Sequence, residues 1–154
     1  MIEATISVSN DGFGRSAAGL VYSGLYVQVG EQTFPNARWT DFVVIVLAWW
    51  CRALARLLAG ETGPIEVRFM EGPYLVEIGP TSDGAVHLRL LEAGLKGRVQ
   101  YQADVSSDPL IDSVLSASER TLAQCEERGW WSSDADELTD AMKALHGRRL
   151  KLVN

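Results

Sequence analysis

The stretch from Phe34 to Gly60, FPNARWTDFVVIVLAWWCRALARLLAG, limits what this chain can fold into more than any other. On a helical wheel Asp41, Arg52, Arg56, Ala48, Ala55 and Ala59 share one narrow sector. Phe42, Val43, Val46, Leu47, Trp49, Trp50, Cys51, Leu54, Leu57 and Leu58 fill the rest. Thr40 or Asp41 is placed to cap the first turn, because a short side-chain oxygen accepts from orphan N–H groups. Gly60 suits the left-handed residue after the last turn. A membrane-spanning helix needs about 20 apolar residues in succession. Here the uninterrupted run, Phe42 to Cys51, is ten residues, and Arg52 and Arg56 follow it. The segment therefore predicts a core helix wrapped on most sides, with a thin wet stripe.

The surrounding sequence alternates with the period of two that marks half-buried strands. Ile2, Ala4, Ile6 and Val8 oppose Glu3, Thr5 and Ser7, and after the glycine-rich DGFGRSAAG a second strand runs from Leu20 to Val29. Beyond the helix, Ile65–Met70, Tyr74–Ile78, Ala85–Leu91 and Arg98–Val105 are joined by the turns Gly72-Pro73, Ser82-Asp83-Gly84 and Gly94–Gly97. The expected fold class is α+β: an antiparallel meander of about six strands in one sheet, packed against the long central helix, with two C-terminal helices. At 154 residues this is expected to form a single domain, 1–154.

The first of the later helices is expected to start at Ser107 or Asp108, with Pro109 in its first position, and to stop at Gly129. The second opens at Ser133 and is expected to end at Gly147, leaving Arg148–Lys151 as a basic tail or a last edge strand. Acidic charge is concentrated here. Residues 104–140 hold 10 acids and 2 bases, whereas residues 1–103 hold 10 and 8, and the last fourteen residues hold 4 bases and no acid. A net charge of −6 distributed in this way disfavours nucleic acid and anionic membrane as partners and favours a basic protein. No basic patch followed by an apolar stretch opens the chain, so a cytoplasmic location is expected.

Candidate chemistry is sparse. Gly14-x4-Gly19 has half the spacing of a phosphate-binding loop, but Leu20 and Val21 replace the required Lys and Ser or Thr, leaving only Arg15 and Ser16 for an anion. The two histidines, His87 on a polar strand face and His146 at a helix end, lack a nucleophile or a second ligand at useful spacing. No catalytic, metal or cofactor-binding residue is assigned. Glu66 and Glu77 face each other across a hairpin, and Arg68 beside them points to a surface charge lattice. Cys51 and Cys125 read as buried thiols rather than a disulfide. Of the five tryptophans, Trp49 and Trp50 are expected in the core. Trp130 and Trp131, at the corner between the last two helices, are the better candidates for contact.

The run Phe34-Pro35-x3-Trp39-x-Asp41-Phe42, then Leu47-x-Trp49-Trp50 and Phe69-Met70-x-Gly72-Pro73-Tyr74, resembles small bacterial proteins regarded as immunity proteins of polymorphic or contact-dependent toxins. The resemblance covers roughly residues 25–80. It implies a cytoplasmic non-enzyme that binds a cognate toxin domain and needs no cofactor. The surface expected to do so is the acidic segment with its tryptophans: Glu119, Glu126, Glu127, Trp130, Trp131, Asp134, Asp136, Glu137 and Asp140. Two other classes remain open: a small-molecule-binding or enzymatic domain using the Gly12–Gly19 loop, and a structural subunit of a homo-oligomer joined through the tryptophan corner.

Overall fold

Nine strands and three helices follow one another in the order β1–β5, α1, β6–β9, α2, α3 in the structure, a computed structural model that describes residues 1–94 and 97–153. Strands β1 (Ala4–Val8), β2 (Gly14–Arg15), β3 (Val21–Val29), β4 (Gln32–Phe34) and β5 (Thr40–Asp41) form one antiparallel sheet. Its centre is β3, where Val27 is paired with Ile6 on one edge and Phe34 on the other. Strands β6 (Ile65–Arg68), β7 (Tyr74–Pro80), β8 (Val86–Glu92) and β9 (Arg98–Val105) form the expected meander. The β8–β9 turn includes two residues outside the described set, and its ends are joined by Gly97 N–H donating to the Gly94 carbonyl.

The expected single sheet of about six strands is thus two sheets, of five and four strands. They touch through a parallel bridge between Ile2 and Val105, beside which Ser106 N–H donates to the Ile2 carbonyl at 3.2 Å. Periodicity reports which residues face inward but does not name a strand's neighbour. Strands β4 and β5, three and two residues long, are too short to show a period at all.

Helix α1 (Val43–Leu58) packs against α2 (Ser107–Glu127), α3 (Ser133–Val153), β3, β6 and β7. Its stop is as read: Gly60 has φ +99°, and Gly60 and Glu61 N–H groups return to the carbonyls of Leu57 and Arg56. Its start differs. Thr40 and Asp41 belong to β5, the capping position is Phe42, and no side chain caps it. The wet stripe is also drier than expected, since Ala48 is 2% exposed. Arg52 reaches Glu137 at 3.8 Å, which places α3 along this sector, where small side chains allow close approach. Trp50 is fully buried as expected, but Trp49 is only half-buried, lining a shallow hollow with Glu66 and Arg68.

Asp41 is 1% exposed and its carboxylate has another task. Oδ1 accepts from the backbone N–H groups of Phe42 at 2.7 Å and Met70 at 3.2 Å. Oδ2 accepts from Trp39 Nε1 at 3.0 Å and Glu71 N–H at 3.2 Å. One carboxylate therefore joins β5, the start of α1 and the β6–β7 turn. Over it the Trp39, Phe34, Phe69 and Tyr74 rings meet edge to face, with centroids 5.2 to 6.3 Å apart.

Two further boundaries move. Ser106 is the capping residue of α2, so Pro109 sits third rather than first, where N–H groups still lack an intrahelical acceptor and proline removes nothing. Gly147 does not end α3, which continues to Val153; the basic residues form neither tail nor edge strand. A mid-helix glycine costs about 1 kcal/mol relative to alanine. The last turns are held by Arg149, which donates to Asp112 at 2.6 Å and Asp108 at 3.2 Å in the first turns of α2.

Replacing Asp41 by Asn puts an NH2 group among four N–H donors, and Asp41→Asn should lower the unfolding free energy by about 2–4 kcal/mol in urea denaturation at unchanged m. A Cβ at Gly72, φ +68°, would lie 2.8 Å from the Trp39 ring, whereas at Gly84, φ +81°, it would meet nothing. Gly84→Ala should therefore cost about 1–2 kcal/mol from backbone strain alone, and Gly72→Ala clearly more, in the same assay.

Candidate interaction surface

The corner between α2 and α3 is made by backbone geometry. Helix α2 stops where Gly129 takes φ +69°, allowing Gly129 N–H to reach the Glu126 carbonyl at 3.3 Å and Trp130 N–H the Cys125 carbonyl at 2.8 Å. Trp130 is half-buried against the core, and the Arg128 guanidinium lies 5.0 Å from its ring centroid. Trp131 is 45% exposed, with Nε1 donating to Asp136 Oδ1 at 2.9 Å. Glu126 and Trp131 line one shallow hollow.

The predicted residues are only partly assembled there. Glu126, Glu127, Trp131 and Asp136 crowd the corner, all exposed, and the half-buried Asp134 joins Asp136 in the first turn of α3, at the positive end of the helix dipole. Glu137 turns toward α1, where its contact with Arg52 is an exposed pair worth about 0–1 kcal/mol. Asp140 lies a turn farther along α3, exposed. Glu119, two turns before Glu126 on α2, is about 10 Å from the corner along the helix axis.

The other residues singled out from the sequence are engaged in structure. The Gly12–Gly19 loop is a hairpin in which Ser16 Oγ accepts from Leu20 N–H at 3.1 Å and β2 pairs with Val21 and Tyr22. Glu66 and Glu77 are register partners, and each has its own arginine, Arg68 at 3.3 Å and Arg89 at 2.7 Å. His87 bonds Asp104 at 2.6 Å and Gln102 at 3.3 Å on the same sheet face. His146, expected at a helix C-terminus, lies within α3, because that helix runs on past it. Among the described residues no three His, Cys, Asp or Glu side chains gather as metal ligands, and no helix is long and apolar enough to cross a membrane.

One concave feature went unread in the sequence. The ends of β4, β7, β8 and β9 enclose a cleft of about 200 Å³, walled by Phe34, Pro35, Tyr74 and Tyr101, floored by Leu90 and rimmed by Gln32, Thr33, Glu92 and Gln100. The Phe34-Pro35 peptide bond is cis. Phe34, Pro35 and Tyr74 are prominent in the sequence as a pattern, but Glu92 and Gln100 carry no local signal, since only the pairing of β8 with β9 sets them side by side.

Comparisons with protein-family models, curated proteins and solved structures return no match for this chain.

Both cysteines are buried and free. Cys51 Sγ lies 3.8 Å from Ser118 Oγ, and burial pushes its thiol from 9.0 up to about 11. A pKa raised on folding means that the native state holds its proton longer, so stability is full below pH 9.0 and falls as pH rises toward 11. By pH 10 Cys51 should account for a loss of about 1 kcal/mol in urea denaturation, read as the difference in pH dependence between the chain and Cys51→Ala, since burial also raises the Cys125 thiol, which that variant keeps.

Proposed function

We propose that this chain is an immunity protein, a cytoplasmic non-enzyme that binds and neutralises a cognate bacterial toxin domain through the acidic α2–α3 corner. The observation that carries the reading is Trp131: a large aromatic side chain 45% exposed among Glu126, Glu127 and Asp136, held in place by its bond to Asp136. Aromatic anchors within a charged rim are what protein interfaces select. The carboxylates would steer a basic partner to the site and exclude acidic ones. The resemblance of residues 25–80 to immunity proteins supplies the partner class.

Coexpression with the product of the adjacent upstream reading frame, tagged on its C-terminal domain, tests the proposal by affinity capture and growth. Stoichiometric capture with rescue of growth is expected. Trp131→Ala should weaken the complex by about 2 kcal/mol, roughly thirtyfold, and Glu126→Lys with Glu127→Lys at least as much. Glu119→Gln, outside the corner, should change affinity less than about threefold. A harmless upstream product that is not captured would remove the immunity reading.

A further inference from the structure

We infer that the cleft between the two sheets is a receptor for a single guanidinium group, presented as an arginine side chain of a protein partner. It lies on other elements than the acidic corner, and it deepens the partner-binding reading by giving that partner a second, specific point of recognition. Its chemistry is defined by its lining. Among the nine described residues that line it, Glu92 alone carries a formal charge, and Arg98, opposite Glu92 in the β8–β9 register, is exposed and outside the lining. Gln100 Nε2 donates to Glu92 Oε2 at 3.3 Å, which orients the carboxylate and leaves Glu92 Oε1 for an incoming donor. Among the described residues Glu92 makes no ion pair.

The walls suit a planar cation. Tyr74 and Tyr101 line the space, and Tyr74 packs edge to face on Phe34 at 5.5 Å and Trp39 at 5.2 Å between ring centroids. A guanidinium stacks on such rings and also presents N–H donors to a carboxylate, whereas an ammonium does only the second well. At about 200 Å³ the cleft is smaller than the roughly 300–1,000 Å³ of sites for drug-sized ligands, which suits one side chain. Burial also keeps the site rigid: Leu90 below it is 1% exposed and Phe34 beside it 5%.

The test is a two-dimensional NMR titration of the 15N-labelled chain with N-acetyl-L-arginine N-methylamide, its neutral isostere N-acetyl-L-citrulline N-methylamide, and n-propylguanidine. The arginine compound should produce saturable shifts in the Gln100 side-chain amide and the backbone amides of Tyr74, Glu92 and Tyr101, with Kd of order millimolar. Citrulline should bind at least about tenfold more weakly, and Glu92→Gln should weaken arginine binding about fivefold or more while leaving shifts elsewhere unchanged. No saturable shift up to about 50 mM, equal binding of citrulline, or an unaffected Glu92→Gln variant overturns the inference. n-Propylguanidine binding more tightly than the arginine compound overturns the assignment to a protein side chain. No toxin enters the titration, so its outcome is independent of the capture experiment.

Discussion

The junction of the first sheet, α1 and the second sheet depends on how the Asp41 carboxylate is satisfied. Burying a charged group is costly unless hydrogen bonds replace its water. Here four N–H groups do so, from Trp39, Phe42, Met70 and Glu71. The donors belong to different parts of the fold, so satisfying the charge fixes the end of the first sheet, the entry of α1 and the first turn of the second sheet in one arrangement. The edge-to-face rings of Phe34, Trp39, Phe69 and Tyr74 then close the site to solvent, and Gly72 is required where Trp39 leaves no room for a Cβ. A carboxylate that accepts from several N–H groups at once is a stronger constraint than a helix cap, which would have tied Asp41 to α1 alone.

The helical side is organised by a different electrostatic device. Helices α2 and α3 are pinned at one end by Arg149, which spans Asp108 and Asp112, and at the other by the left-handed Gly129 and the Trp130 ring beneath Arg128. With both ends set, the apolar stripes of the pair face α1. Among the described residues, the one ion pair that the remaining acids of α2 and α3 make is the long, exposed contact of Glu137 with Arg52, so most of them project to solvent. The acidic surface is therefore a consequence of the core being complete without it.

The two recognition features proposed here would share a preference for positive charge. The corner offers several exposed carboxylates around one aromatic side chain, which favours fast, salt-sensitive encounter with a basic surface. The cleft offers one carboxylate between tyrosines, which favours a particular side chain once contact is made. Under the proposed function the first would steer a basic partner and the second would discriminate among such partners.

Much of this was legible in the residues themselves. The apolar span and Gly60 determined α1 and its end, the alternation determined the meander, Gly129 and Ser133 determined the corner, and the acids within residues 104–140 determined its sign, because each is a local property of spacing or backbone freedom. What the tertiary structure decided was always a matter of pairing between distant segments. Whether the strands made one sheet or two, whether Asp41 capped a helix or bound Met70 and Glu71, and whether Gly147 ended α3 or was carried through by Arg149 each turned on a partner about 30 or more residues away. The cleft is the clearest instance: its rings were visible as a motif, but its charge comes from Glu92 on another strand, and no local periodicity encodes which strands lie side by side.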